Sequence, residues 1–407
     1  MHTESTQIYP EGGRKAWLVV LGAWCAMIPS MGLLNTLAVL QALISENQLN
    51  GMPESRIGWI FSCYAFFLYF CGAQVGPIVD AHDIQVLIVP GGIGIIAALV
   101  CLSFSTEFYQ IFLSFGVLGG ISASLLFNPS LAAIGHWFKR RRAFATGLAC
   151  TAGGLGGVGF PLIILYCTPK IGFAWAIRIV ALICAVTLSI ACLTLRKRLP
   201  GNARGGAAID LKALRDVKFA TTTLAIFLIE FAVFIPYSYI SLYAIHNGFD
   251  TTNALLLNCF LNAGAVPGRA LPGYLADRIG VFNTMCGTAA ICAAFILGLW
   301  LNADESMALT TSFTVLFGFW SGAAISLTPV CVSQVCDIKD YGKRNGTAFF
   351  VSSFGALIGI PIAGTILEAW GGSYRGLIIF AGAFYLAAFA AFCIARGVAG
   401  GWAMKRF

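Results

Sequence analysis

The apolar sequence of this chain repeats itself at an offset of about 200 residues, with prolines, a glycine and a basic break at matching positions in both halves. The matching residues are Pro129 and Pro329, Gly159 and Gly359, and Pro161 and Pro361. A short basic break lies between the prolines of each half, at 139–142 and at 339–344. A membrane protein built from two similar halves binds its substrate between them, near the bilayer midplane. The repeat therefore favours a transporter.

The chain of 407 residues is 58% hydrophobic and only 10% charged, which is more apolar surface than a soluble fold can bury. A helix of about 20 apolar residues crosses a bilayer. The sequence therefore predicts an all-α membrane protein with twelve transmembrane helices in two pseudo-symmetric six-helix bundles. The predicted spans are 16–40, 57–79, 84–105, 108–134, 143–167, 171–195, 219–245, 253–276, 281–301, 307–333, 346–369 and 374–396.

Basic residues set the expected orientation, because lysine and arginine concentrate in cytoplasmic loops. With the N-terminus inside, only five of the 25 lysines and arginines fall elsewhere: Arg56, Lys170, Arg178, Arg269 and Arg375. Both termini are therefore expected to be cytoplasmic, and the plasma membrane is the expected location. The net charge of +8 follows from this topology, so no nucleic-acid partner is expected.

Polar stretches divide the chain into five expected parts. These are a cytoplasmic tail 1–15, a six-helix bundle 16–195, a cytoplasmic linker 196–218, a second bundle 219–396 and a tail 397–407. The second part of the linker is read either as a short interfacial helix or as a solvated connection. We expect the chain to work as a monomer.

Two motifs carry a resemblance to a known family. The break at 136–149 resembles a signature of the monocarboxylate porter family, and more closely that of its fungal branch. The segment 11–13 followed by Trp17 resembles the acidic-Gly-Gly-aromatic signature before the first span of that family, and 341–347 and 401–402 point the same way. The resemblance implies the major facilitator fold, in which two halves rock around a central substrate.

A loop between spans occurs once in each half, and its likeness to a loop of the superfamily implies that it helps to close the cytoplasmic side. The stretch 273–280 is similar to an interspan loop of the superfamily, and this likeness implies gating roles for Asp277, Arg278 and, in the first copy, Asp80. The first copy has lost the basic residue that follows the aspartate. This departure leaves the gate contact of Asp80 open.

Charges within spans identify candidate site residues, because each is expensive in hydrocarbon and requires a partner or water. Arg269 shares a helical stripe with Asn258 and Asn262 in the eighth span, and Glu230 shares one with Tyr237 in the seventh. Arg178 lies close enough to a membrane edge to snorkel.

The family resemblance gives Arg269 a role. In the family an arginine four residues before the glycine of the eighth span binds the substrate carboxylate, and Arg269 stands four residues before Gly273. An anchoring arginine paired with a carbonyl or with Glu230 is the structural alternative.

At two positions this sequence differs from the relatives that couple lactate transport to protons. Ala265 replaces an aspartate of the lactate-type relatives, and no cation follows Lys15 in the first span. The proton-linked lactate mechanism is therefore not implied. Glu230 is the candidate for proton coupling, since burial favours its neutral form, although pairing with Arg269 would keep it ionised.

The predicted substrate-binding set is completed by polar residues of other spans. The set is Arg269, Asn262, Asn258, Tyr237, Tyr243, Asn35 and Asn128. His136 and His246 lie at opposite membrane edges, so no metal site is predicted, and no phosphate-binding glycine loop is present. No cofactor is expected.

These features together predict a secondary carrier of a small organic solute, in particular an organic acid or another carboxylate-bearing metabolite, and not an enzyme. Import of an organic acid and efflux of a larger fungal metabolite both remain open. The aromatic residues of the seventh span favour the bulkier cargo, and packing between helices explains them equally well. A transporter-like sensor or channel that no longer cycles is the alternative class.

Overall fold

The computed structural model describes residues 9–198, 209–337 and 340–401. Within these residues twelve helices are long and apolar enough to cross a membrane, which confirms the predicted all-α fold. Numbered α1–α12 in chain order, they are Arg14–Glu46, Arg56–Ala81, Gln85–Phe104, Phe108–Trp137, Arg142–Ile171, Phe173–Thr194, Val217–His246, Thr251–Ile279, Val281–Trp300, Met307–Gln334, Tyr341–Ala369 and Tyr374–Gly400.

Two apolar cores form, one mainly within α1–α6 and one mainly within α7–α12. Tyr64 stacks on Phe115 at a ring distance of 5.0 Å in the first core. Trp300 stacks on Phe313 at 5.2 Å in the second. Phe349 of α11 packs into the first core, so the halves are in direct contact.

Helix irregularities follow the glycines and prolines. A π-type turn, Ile28–Gly32, interrupts α1 at Pro29, and the helix resumes at Leu37–Glu46. Proline inside a helix removes a backbone hydrogen bond, and a transmembrane helix tolerates it where neighbours satisfy the freed carbonyl. The repeated prolines lie inside equivalent helices of the two halves, Pro129 in α4 and Pro329 in α10.

Several helices are longer than the predicted spans. The first runs to Glu46, because polar residues such as Gln41 and Glu46 continue the helix beyond the hydrocarbon that hydropathy detects, and the last runs to Gly400. Of the linker, Leu211–Arg215 forms one short 3-10 helix, and Asp216 caps the start of α7. The linker residues 199–208 and the tail residues 402–407 lie outside the described residues.

Candidate functional site

Two aspartates join the halves at the end of the bundle where α1 begins and α12 ends, which we call the terminal end. The Asp277 carboxylate of α8 accepts the amides of Ala143 at 3.0 Å and Phe144 at 2.9 Å, in the first turn of α5. In the same way the Asp80 carboxylate of α2 accepts the amides of Gly342 at 3.0 Å and Lys343 at 2.8 Å, in the first turn of α11.

These four hydrogen bonds have a common physical basis. The first amides of a helix have no partner within the helix, and the helix dipole favours negative charge there. Each half therefore caps a helix of the other half, and the terminal end is closed.

Glycines allow the backbones to meet behind these caps. A Cβ on Gly147 of α5 would overlap the carbonyl oxygen of Arg269, and one on Gly273 of α8 would lie 2.6 Å from the carbonyl oxygen of Ala143. Gly76 of α2 and Gly346 of α11 allow the same close approach between α2 and α11, and we call each of these two contacts between helices of opposite halves a seam. Small residues at such spacing permit close helix approach.

A lysine outside the predicted loop compensates for the basic residue missing after Asp80. Lys197 Nζ, from the segment after α6, donates to the carbonyl oxygens of Val79, Asp80 and His82 at the end of α2. Desolvation lowers the pKa of the Lys197 ammonium, and the charges of Asp80 and Asp83 oppose that shift. The contact of the Asp80 carboxylate with the other half, which the sequence left open, is present as the hydrogen bonds from Gly342 and Lys343.

Arg278 packs on an aromatic ring close to the Asp277 caps. Its guanidinium lies 4.4 Å from the ring centre of Tyr274 and donates to the hydroxyl of that residue. Tyr274 in turn packs edge-on against Phe144 of the first half at 6.0 Å.

Arg269 lies on the seam between α5 and α8, further from the terminal end than Asp277, and its side chain reaches from α8 to α5. Its side chain is fully buried, and Nη1 donates to the carbonyl oxygen of Cys150 in α5 at 2.7 Å. Gly153 makes room, because a Cβ there would overlap Nη1. Among the described residues, Nε and Nη2 of Arg269 have no hydrogen-bond partner. A buried guanidinium with two unused donor groups is suited to an anionic ligand.

Amide side chains of α1 and α8 lie further along the contact between α5 and α8, beside Gly157. Asn35 of α1 donates to the carbonyl oxygen of Gly153 at 2.9 Å, and Asn262 of α8 donates to that of Asn258 at 2.9 Å. The Oδ1 atoms of Asn258 and Asn262 have no partner among the described residues. The Tyr237 hydroxyl pairs with the Ser321 hydroxyl at 3.4 Å and is close enough to the Arg269 guanidinium to interact with its charge. These residues, Asn35, Tyr237, Asn258, Asn262 and Arg269, form the central polar cluster.

Glu230 occupies a separate position on the interface between the halves. Its side chain is 1% exposed and accepts from the Tyr69 hydroxyl of α2 and the Thr328 hydroxyl of α10, each at 3.4 Å. Tyr69 stacks on Phe349 at 5.2 Å. Within the described part of the chain, neither Glu230 nor Arg269 belongs to an ion pair, although the two charges are close enough to interact. The carbonyl contact of the structural alternative is thus present and the Glu230 pairing is not.

Two residues of the predicted set lie away from the cluster. Asn128 bonds to Ser124 in its own helix and faces Gly72, on the side of the terminal end. The Tyr243 hydroxyl donates to the carbonyl oxygen of Asp304 in the loop between α9 and α10, at 3.4 Å.

Sequence reasoning missed Tyr69, Thr328 and the carbonyl of Cys150. The repeat carries a signal for Thr328, because Thr328-Pro329 corresponds to Asn128-Pro129. Tyr69 and Cys150 have no such signal.

Two six-helix halves that cap each other and enclose buried polar groups define a membrane transporter. A family model described as Major Facilitator Superfamily matches residues 19–337, and the chain belongs to this superfamily. The MFS transporter asaE of Aspergillus flavus is 35% identical over 395 residues, which cover 96% of this chain and 89% of that protein. The aspyridones efflux protein apdF of Emericella nidulans is 35% identical over 368 residues, covering 89% and 74%.

A solved structure supports the fold. The human organic anion transporter MFSD10 superposes with a TM-score of 0.74 at 15% identity, over 94% of this chain and 100% of that chain. At this identity the likeness concerns the fold alone.

Proposed function

We propose that this transporter is a secondary active carrier that exports a carboxylate-bearing organic metabolite by alternating access. The observation that carries this proposal is the fully buried Arg269, which bridges the halves and leaves Nε and Nη2 without a partner among the described residues. A guanidinium fork accepts a carboxylate through two parallel hydrogen bonds. The similarity to the aspyridones efflux protein supports the outward direction.

The other members of the central polar cluster would orient the cargo. The Oδ1 atoms of Asn258 and Asn262, which have no partner in the described part of the chain, can accept hydrogen bonds, and the Tyr237 hydroxyl can both donate and accept. A cargo that carries hydroxyl or amide groups beside its carboxylate fits this set. Asn35 would contribute from the opposite half.

Alternating access requires the halves 16–195 and 219–396 to rock as bodies. In the proposed cycle, the caps made by Asp80 and Asp277 break when the terminal end opens. Basic residues cluster at this end, and the rule for lysine and arginine supports a cytoplasmic orientation of both termini. We also propose the plasma membrane as the location, a monomer as the working unit and the monocarboxylate porter family as the subgroup, which the motifs at 11–13 and 136–149 support.

Glu230 is our candidate for proton coupling. Its carboxylate joins Tyr69 of one half to Thr328 of the other, so a change in its charge acts on a bond between the halves. Protonation would weaken the hydrogen bond from Tyr69, since a bond to an ionised acceptor is about twice as strong as a neutral one.

The test is transport in proteoliposomes that contain the purified chain. A panel of aromatic and aliphatic carboxylates is offered with and without a pH gradient, and Arg269→Ala is compared with the parent chain. We expect gradient-dependent movement of at least one carboxylate, and a loss on the order of tenfold or more in the variant, because one charged hydrogen bond alone contributes about that factor.

Arg178→Ala is the matched control. Arg178 lies over the rings of Phe104 and Trp175, at 4.6 and 4.7 Å, away from the central polar cluster. Its removal should leave transport near the parental rate. Equal transport by Arg269→Ala and the parent would contradict the proposed binding role. A folded parent that moves no member of the panel would favour the non-transporting sensor.

A further inference from the structure

The segment before α1 binds the basic turn that leads into α5. Glu11 Oε1 accepts the amides of Lys139 at 2.9 Å and Arg140 at 2.7 Å, and Oε2 accepts the amide of Arg141 at 3.2 Å. The Glu11 amide donates to the carbonyl oxygen of Trp137 at 3.3 Å. The backbone of Glu11 has a φ of 52°, in the left-handed region that costs a glutamate conformational energy. The four hydrogen bonds hold it there.

The same turn receives the carboxylate of the opposite half. Glu11 takes the amides of 139–141, and Asp277 takes those of Ala143 and Phe144, so the two carboxylates do not compete for donors. Trp17 packs on Phe144 at 6.3 Å and so supports the turn from the first half.

A carboxylate at the corresponding place in the second half contacts side chains of the basic turn instead of backbone amides. The Asp210 carboxylate lies 3.6 Å from Lys343 Nζ and 3.7 Å from Arg344 Nε, and its amide donates to Thr347 Oγ1 at 3.2 Å. Lys343 also gives its amide to Asp80. Glu11 and Asp210 are separated by the repeat offset of about 200 residues. Each thus precedes the first helix of its half and contacts the basic residues where the fifth helix begins.

We infer that Glu11 and Asp210 are a repeated pair of positioning residues for the gate. Each holds a basic turn of its own half in the position where the turn's amides receive the aspartate of the other half. The inference rests on the proposed opening at the terminal end. When the halves separate, Asp277 and Asp80 leave while Glu11 and Asp210 stay, so the turn is preformed for the next closure.

Repulsion between Glu11 and Asp277 is the opposing effect, because both carboxylates approach one turn. Four cations, at 139–142, lie in that turn and offset the repulsion. The positioning effect should therefore dominate.

The test is hydrogen exchange of the purified, detergent-solubilised chain, read by mass spectrometry with fragmentation to single amides. It needs no cargo, so a failed transport assay does not affect it. In Glu11→Gln we expect exchange to rise on the order of tenfold at 139–141 and also at Ala143 and Phe144, as loss of charged hydrogen bonds predicts. In Asp277→Asn exchange should rise at Ala143 and Phe144 only.

Asp210→Asn tests the second gate independently and suffices if Glu11→Gln does not fold. Exchange should rise at Gly342 and Lys343. Glu107→Gln is the control, since Glu107 caps a helix at the opposite end of the first half. A rise confined to 139–141 in Glu11→Gln, slower exchange at Ala143 and Phe144, or unchanged exchange at Gly342 and Lys343 in Asp210→Asn would overturn the inference.

Discussion

Glu230 and Arg269 are two buried charges with different surroundings. Among the described residues, the Arg269 guanidinium donates to one backbone carbonyl and its Nε and Nη2 have no acceptor, whereas the Glu230 carboxylate accepts from two hydroxyls. An arginine remains charged under all working conditions, so only Glu230 can exchange a proton. In the proposed mechanism Arg269 therefore binds the anionic cargo and Glu230 couples transport to protons.

Glu230→Gln should separate these two roles. Glutamine keeps one acceptor oxygen, and its amide nitrogen can donate to the hydroxyl at the other position, but it cannot ionise. We therefore expect uptake driven by a pH gradient to fall about tenfold or more while exchange of cargo for cargo persists. Proteoliposomes with an imposed gradient, and then with equal pH and cargo on both sides, measure the two rates. If gradient-driven uptake in Glu230→Gln equals that of the parent, Glu230 does not carry the coupled proton.

The sequence identifies these residues because a charge in an apolar run is a local signal. Their partners are not visible in the same way. A backbone carbonyl such as that of Cys150 has no signature in the sequence, and Tyr69 resembles any aromatic residue of a span. Tyr243 shows the converse, since a polar residue in a span can equally serve packing between helices, and it bonds to the carbonyl of Asp304.

Helices α5 and α8 meet through glycines, and their contact runs from the gate to the central polar cluster. Gly147→Ala should disturb it, because the added methyl overlaps the carbonyl oxygen of Arg269 and forces the backbones apart. Overpacking of this kind costs about 1–3 kcal/mol, so we expect closure of the terminal end to weaken and the transport rate to fall roughly tenfold.

Gly159→Ala is the matched control on the same helix, since nothing lies within 4 Å of a Cβ at that position. Both substitutions raise helix propensity equally. Transport and thermal unfolding of the two purified variants provide the comparison. Equal transport by Gly147→Ala and Gly159→Ala would show that close approach of α5 and α8 is not needed for the cycle.

Sequence patterns predict the spans better than the pairing of helices. Hydropathy reports the length of a helix in hydrocarbon, so all twelve spans are located, with errors at ends such as Glu46 where polar residues continue the helix. It does not report which face of a helix meets which neighbour. The contact of α5 with α8 becomes evident only when Gly147 and Gly273 are seen against opposing backbones, and that of α2 with α11 only when Gly76 and Gly346 are.

At the scale of the whole molecule, the halves are joined by hydrogen bonds and ring contacts that extend from the terminal end to the depth of Phe66 and Phe354. A carrier must break such contacts once in every cycle, whereas contacts within a half persist. Phe144 and Tyr274 belong to opposite halves, with ring centres 6.0 Å apart. Phe231 and Phe380 have the same ring distance within the second half.

A short, reducible bis-thiosulfonate cross-link between Phe144→Cys and Tyr274→Cys should therefore lower the transport rate at least about tenfold. Reduction of the cross-link should restore the rate. The same cross-link between Phe231→Cys and Phe380→Cys should leave the rate near that of the uncross-linked variant, because that pair moves as one body. The parent chain, with its 14 native cysteines, is treated in parallel to measure the background. Full transport with the first pair verifiably cross-linked would mean that the terminal end does not open during the cycle, and alternating access through this gate would be wrong.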